Sequence, residues 1–168
     1  MSYTDRFTLV EDYLRHLDTM MAGIADPFVQ GQYLGFIATS AVTAYELAIK
    51  DIFYAFAEKK HVVLGEVTRA RFRRLNGQIG LKKLREEHVQ MFGDKYVTKF
   101  KKALDLSETS YVQTNGKSPK GAYGNIITWR NVFVHEGTPP NTTNYQEMKD
   151  QYLAGKEVIN SLNTAMYR

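Results

Sequence analysis

The sequence predicts an all-α protein, an up-and-down bundle of five to seven helices. Apolar residues recur every three or four positions along several long stretches. No segment alternates apolar and polar residues over the length that a β-strand needs. With 168 residues, 43% of them hydrophobic, the chain can build one core, and we expect a single domain over residues 1–168.

The N-terminal segment predicts an amphipathic helix. Its apolar residues share one helical face and are Val10, Tyr13, Leu14, Leu17, Met21 and Ile24. We expect this helix to stop near Gly23. Asp26 is a good N-cap and Pro27 a good first helical residue, so a second helix is expected to begin there.

The second helix is predicted to run from about Pro27 to Lys59 and to lie at the centre of the core, because its middle is apolar on most sides. Glu46 is the exception in this apolar stretch. A carboxylate in such surroundings needs a partner. Lys50, four residues later, is the nearest candidate, and Arg130 is the alternative.

The remaining segments alternate helix signals with breakers. Residues 61–104 predict shorter helices interrupted at glycines, and residues 107–125, rich in Ser, Thr, Gly and Asn, predict a long loop. A helix is expected over about 123–136. A last helix is expected from Tyr145, where Asn144 and Glu147 have the spacing of a capping box.

Positive charge is concentrated in residues 69–102, which hold eleven Lys and Arg and three acidic residues, a net charge of +8 in a chain whose total is +4. This asymmetry favours a polyanionic partner such as RNA. The densest cluster is the predicted RNA-contact surface: Arg69, Arg71, Arg73 and Arg74. A solvated helix surface is the alternative interpretation, and it applies equally to Lys117 and Lys120 further along the chain.

Other functional classes are disfavoured by composition. No apolar run approaches the roughly 18–20 residues that span a membrane, and no signal peptide opens the sequence, so we expect a cytoplasmic protein. The chain has no cysteine, and its four histidines show no metal-ligand spacing. We therefore expect no metal site and no cofactor.

One short motif carries the chemistry. Arg130, Asn131 and His135 occupy the last turns of an otherwise apolar helix, which Gly137 and the two prolines that follow are expected to end. Histidine can transfer protons near neutral pH, arginine can clamp a phosphate, and asparagine can orient either neighbour. A simpler interpretation is that the two cations only complement a helix C-terminus.

The three side chains together fit RNA cleavage by the substrate's own 2′-hydroxyl, which needs a base, an acid and a phosphate clamp. One chain supplies only one motif histidine. Two chains that meet at this helix would supply both the base and the acid, so we expect a homodimer.

The motif Arg130-Asn131-x-x-x-His135, in the penultimate helix of an all-α domain, resembles the Arg-x4-6-His signature of the HEPN superfamily (higher eukaryotes and prokaryotes nucleotide-binding domains). The stretch from Ala44 to Ile52 is similar to the long second helix of its prokaryotic ribonuclease members. This resemblance implies a metal-independent endoribonuclease with the motif across a dimer interface. Such members act as toxins or in phage defence.

By the same resemblance, His135 would perform acid–base chemistry, Arg130 would stabilise the scissile phosphate, and Asn131 would support the geometry. We therefore predict an endoribonuclease of HEPN type, a toxin or phage-defence effector with an antitoxin or defence-system protein as a possible partner. Glu46 is a candidate supporting residue. The alternative prediction is a non-catalytic helical module that binds RNA, nucleotide or a partner protein through the same groove.

Overall fold

The computed structural model describes residues 2–167, and within that range the chain contains α-helices, short 3-10 and π turns and no β-strand. The predicted all-α class is therefore confirmed. The α-helices are α1 (Thr8–Met20), α2 (Pro27–Lys60), α3 (Val62–Phe72), α4 (Leu81–Lys83), α5 (Asp94–Asn115), α6 (Pro119–Glu136) and α7 (Tyr145–Tyr167). None of these helices is long and apolar enough to cross a membrane.

Helix α2 lies at the centre of the bundle, as predicted, and contacts α1, α3, α6 and α7. It begins where the sequence indicates, because the Asp26 carboxylate accepts a hydrogen bond from the Phe28 N–H at 2.8 Å and Pro27 is the first helical residue. At 34 residues it is about 50 Å long. His61 ends α2 and caps α3 through its ring nitrogen.

The prediction of a long loop over residues 107–125 is wrong, because most of this segment is helical. Helix α5 continues to Asn115, and α6 begins at Pro119 behind the N-cap Ser118. The polar residues remain helical because their hydroxyls bond back to the helix: Thr109 and Thr114 each donate to the carbonyl four residues earlier at 3.0 Å. Gly116, at φ 68°, supplies the left-handed residue that ends α5.

The two terminal helices differ from their predictions in detail. Helix α1 ends at Met20 and continues only as a 3-10 turn to Gly23. At the start of α7, Asn144 caps the Glu147 N–H at 2.9 Å as expected. In a complete capping box the Glu147 carboxylate would accept the Asn144 N–H. Here it accepts a hydrogen bond from the Lys117 ammonium at 2.7 Å instead.

Three buried tyrosines fix α2, α6 and α7 against one another. The Tyr45 ring stacks on Tyr123 and on Tyr152, with centroids 5.4 and 5.9 Å apart. The Tyr45 hydroxyl donates to the Tyr152 carbonyl at 2.7 Å, which satisfies a buried polar group. Burial raises the pKa of Tyr45 well above its ordinary value, so this hydroxyl remains a donor.

Glycines let the second half of α6 approach α2 closely. A β-carbon at Gly35 would lie within 2.5 Å of three ring atoms of Phe133, and one at Gly31 would lie 2.9 Å from Pro139. Phe133 therefore packs against α2, the structural role that its position in an apolar helix favours. This contact sets the position of the last turns of α6, where the motif lies.

Candidate active site at the end of helix α6

The motif occupies the last two turns of α6. The helix ends at Gly137, whose φ is 66° and whose N–H donates to the Phe133 carbonyl at 3.1 Å, as the sequence predicts. Arg130 is half-buried, whereas Asn131 and His135 are exposed. These two are four residues apart, so they share one helical face. The Arg130 Nη1 donates to the Asn131 Oδ1 at 2.9 Å, which draws the guanidinium towards that face.

A tight turn after α3 holds the other side of the guanidinium. Asn76 and Gly77 both have positive φ, 49° and 73°, and the Gln78 N–H donates to the Leu75 carbonyl at 2.9 Å. This is the pattern of a type I′ turn, for which Asn-Gly is the preferred pair. A β-carbon at Gly77 would lie 3.2 Å from both terminal nitrogens of Arg130, so the guanidinium lies directly against this glycine.

Glu46 reaches the same turn from α2. Its Oε2 accepts the Gly77 N–H at 2.5 Å, and its Oε1 accepts the Lys50 ammonium at 2.7 Å. Lys50 is thus the ion partner of Glu46, the first of the two candidates from the sequence. Arg130 contacts Gly77, the residue whose N–H binds Glu46, and makes no ion pair with that carboxylate. In the structure, Gly77 therefore lies between Glu46 and the motif arginine, and both contact it.

Two further hydrogen bonds fix the backbone of the turn. The Gln78 carbonyl lies 2.8 Å from the His88 Nε2, and the Tyr123 hydroxyl donates to the Ile79 carbonyl at 2.7 Å. His88 is 6% exposed and packs edge-on against Phe72, so it is a core histidine. Side chains from α2, α6 and the π turn after α4 (Leu84–Val89) thus hold a surface that receives Arg130.

Gly77 and its turn are the part of the site that sequence reasoning did not assign. The Asn-Gly pair signals a turn, but only the fold shows that the turn contacts Arg130, 53 positions away. The consequence is chemical. An arginine whose guanidinium is already oriented loses less conformational entropy when it binds a phosphate, and it is available to stabilise charge that develops there.

The predicted RNA-contact arginines divide into two groups. Arg69 Nε donates to Glu58 at 3.0 Å, and its guanidinium lies over the Tyr54 ring. Arg71, Arg73 and Arg74 are exposed, as Arg69 is, but form no ion pair with any residue in the range 2–167 that the structure describes. Arg74 lies three positions before Gly77, so the exposed group leads directly to the turn that contacts the motif arginine.

The motif face of α6 is open in the single chain. Gly124, Thr128, Asn131 and His135 are all exposed, at spacings of four, three and four residues. A β-carbon at Gly124 would meet no heavy atom within 4 Å. The small residues in the first half of this face would let another helix approach closely, and the exposed histidine lies at its end.

A helical bundle with an Arg-x4-His motif at the end of its penultimate helix has the organisation of a HEPN-type domain. The family model RiboL-PSP-HEPN matches residues 2–168, and the chain belongs to this family. The predicted membership of the HEPN superfamily is thereby confirmed, and it indicates a nuclease or another RNA-related function. A search of curated proteins and a search of solved structures found no match to the chain.

Proposed function

We propose that the protein is a metal-independent endoribonuclease that cleaves RNA through attack by the substrate's 2′-hydroxyl. The observation that carries this proposal is the position of Arg130, whose guanidinium lies between Gly77 and the Asn131 side chain on the same helix end as an exposed His135. Family membership supports an RNA-related role, and the residues at this helix end match the chemistry that phosphodiester cleavage needs.

In the proposed reaction, one histidine removes the proton from the 2′-hydroxyl and the 2′-oxygen attacks the adjacent phosphorus. The bond from phosphorus to the 5′-oxygen breaks, and a second acid gives that oxygen a proton. The products are a 2′,3′-cyclic phosphate and a 5′-hydroxyl. Arg130 neutralises charge on the phosphate oxygens, Asn131 orients the guanidinium, and Glu46 holds the turn on which Arg130 rests.

The reaction needs an acid as well as a base, and each chain offers one motif histidine. We propose that a second copy of the chain packs against the open face of α6 and brings its own His135 to the site. The exposed small residues Gly124 and Thr128 support this arrangement. Each chain would then contribute one proton-transfer group.

Arg71, Arg73 and Arg74 are proposed to bind RNA phosphates beside the turn, since they are exposed and the last of them lies three positions before Gly77. Arg69 is proposed to contribute from its position next to Glu58. We further propose a cytoplasmic role as a toxin or phage-defence effector that an antitoxin or defence-system protein restrains.

Regulated expression in bacteria tests this function in the cell. We expect wild-type protein to arrest growth and fragment cellular RNA, and we expect Arg130→Ala and His135→Ala to abolish both effects. Arg15→Ala and His16→Ala are matched controls, because these side chains are exposed on α1 and lie outside the motif. Growth arrest that persists in His135→Ala would favour the alternative, a non-catalytic module that binds RNA, nucleotide or protein.

A further inference from the structure

A chain of three adjoining depressions leads away from the candidate active site. The first, about 460 Å³, runs along residues 80–87 and begins three positions after Gly77. It shares Leu81 with a smaller cavity of about 170 Å³, whose floor also includes the buried Phe100 and Leu104. That cavity shares Lys101 with a third depression of about 420 Å³ along α5. We call this chain the α4–α5 groove.

The groove carries an excess of positive charge. Its lining includes three carboxylates, and each has a cation beside it: Asp105 with Lys120 at 2.6 Å, Glu86 with Arg85 at 2.6 Å, and Glu87 with Lys83 at 3.8 Å. Lys120 lowers the pKa of Asp105, with smaller contributions from Lys101 and Arg85, so these four groups converge on one part of the groove.

Three other lysines also line the groove: Lys82, Lys101 and Lys102. None of them forms an ion pair with a residue in the described range 2–167. Lys82 lies at the end nearest the turn, Lys101 lies between the small cavity and the third depression, and Lys102 lies in the third depression on α5. Over the lining as a whole, six cations face three carboxylates, so the groove has an excess of three positive charges.

The groove and the motif arginine lie at a fixed separation. Lys120 at the cavity and Arg130 at the turn are ten residues apart on the same helix, which corresponds to about 15 Å along its axis. A ligand that contacts both must be extended. The cavity of about 170 Å³ is also smaller than the roughly 300 Å³ at which pockets for whole small molecules begin, so it accommodates a phosphate or a ribose rather than a nucleotide.

We infer that the α4–α5 groove binds the backbone of a single RNA strand that extends several nucleotides from the phosphate at Arg130. The inference rests on the proposed ribonuclease function and specifies its substrate as an extended single strand. Lys82, Lys101 and Lys102 contact successive phosphates, while the apolar cavity floor receives a sugar. This surface lies after the Asn76–Gly77 turn in sequence, whereas the predicted arginine surface lies before it.

Binding of a fluorescent RNA of about 16 nucleotides tests the groove independently of cleavage. The protein carries His135→Ala throughout, so the RNA stays intact. In this background, Lys101→Gln with Lys102→Gln removes two exposed charges from the groove. The matched control, Lys59→Gln with Lys60→Gln, removes two exposed charges at the C-terminal end of α2 that do not line the groove. Thermal unfolding verifies that every variant is folded.

Each phosphate contact in a single strand contributes about 0.7 to the slope of log affinity against log salt. Loss of two contacts should lower that slope by about 1.4 and weaken binding about 25-fold at 0.1 M salt, whereas the control should change less than about 2-fold.

Three results would overturn the inference. If the groove variant binds the long RNA as tightly as its parent does, the α4–α5 groove does not bind the RNA strand, and the ribonuclease proposal stands. Equal losses in the groove and control variants would indicate non-specific attraction to net charge. If none of the proteins binds RNA, both the groove and the proposed function fail.

Discussion

Replacing Gly77 with alanine places a methyl group against the guanidinium of Arg130. The new β-carbon would lie 3.2 Å from both terminal nitrogens of Arg130 and 3.3 Å from its central carbon. Non-bonded heavy atoms prefer about 3.5–4.0 Å. The guanidinium must therefore move by a few tenths of an ångström, while the fold around it stays the same.

The stability cost of this substitution comes mainly from the backbone, because Gly77 has φ 73° and an L-residue in that region costs about 1–2 kcal/mol. Gly116 provides a matched control: its φ is 68°, and no heavy atom lies within 4 Å of an added β-carbon. Both alanine variants should lose similar stability. For a chain of this size, that loss lowers the Tm by about 2–8 °C.

The activities of the two variants should differ. A misplacement of 1 Å in an active site can cost about 100-fold, so a shift of a few tenths of an ångström should lower kcat/KM for RNA cleavage about 3- to 10-fold in Gly77→Ala. Gly116→Ala should keep the wild-type value within about 2-fold. If both variants lose Tm equally and also cleave RNA equally well, the contact between Gly77 and Arg130 does not position the arginine.

Other structural features give further predictions. Tyr123→Phe removes the donor to the Ile79 carbonyl and should cost about 1–3 kcal/mol of unfolding free energy, whereas Tyr45→Phe should cost only about 0.5–1.5 kcal/mol, because the Tyr152 carbonyl lies inside α7 and keeps its helical hydrogen bond. Only the first variant loosens the turn under Arg130 and should also lower RNA cleavage. Equal activities of these two variants would contradict that role of the hydroxyl. The hydrogen bond from Lys117 lowers the pKa of Glu147, so this carboxylate adds stability that is fully present above the unfolded-state pKa and is lost as pH falls through the lowered value. The Tm difference between wild type and Glu147→Gln should therefore be largest at neutral pH and shrink in acid, and a difference independent of pH would contradict the shift. Thr128→Arg on the open face of α6 should yield a folded, inactive monomer in analytical ultracentrifugation, and a variant that remains dimeric would remove this face from the proposed interface.

The parts of the fold that follow from local chemistry could be predicted from the sequence. The start of α2 follows from Asp26 and Pro27, and the end of α6 follows from Gly137. The ion pair of Glu46 with Lys50 follows from their four-residue spacing on one helix. In each case the residues that decide the structure are neighbours along the chain.

The polar composition around residues 107–118 led to the wrong prediction of a loop. Serine and threonine favour loops unless their hydroxyls bond back to the helix. Composition alone does not distinguish these two cases. In the structure, the back-bonds of Thr109 and Thr114 and the left-handed Gly116 show that α5 continues through this region and then ends.

The support around Arg130 could not be predicted, because it depends on contacts between distant residues. Gly77 is 31 positions from Glu46 and 53 from Arg130. The Asn-Gly pair predicts a turn, but helix periodicity does not say which helix the turn contacts. The motif could therefore be found from the sequence, whereas the surface that holds it required the fold.

Cleavage of a mixed RNA substrate in EDTA, by purified wild-type protein and by His135→Ala prepared identically, tests the proposed function most directly. We expect the wild type to cleave and to leave 2′,3′-cyclic phosphate ends, and we expect the His135→Ala variant to be inactive although it is folded. Equal cleavage by both proteins would contradict a catalytic role for His135, since the activity would then come from another source. Absence of cleavage by folded wild-type protein across varied RNAs would contradict the ribonuclease proposal itself.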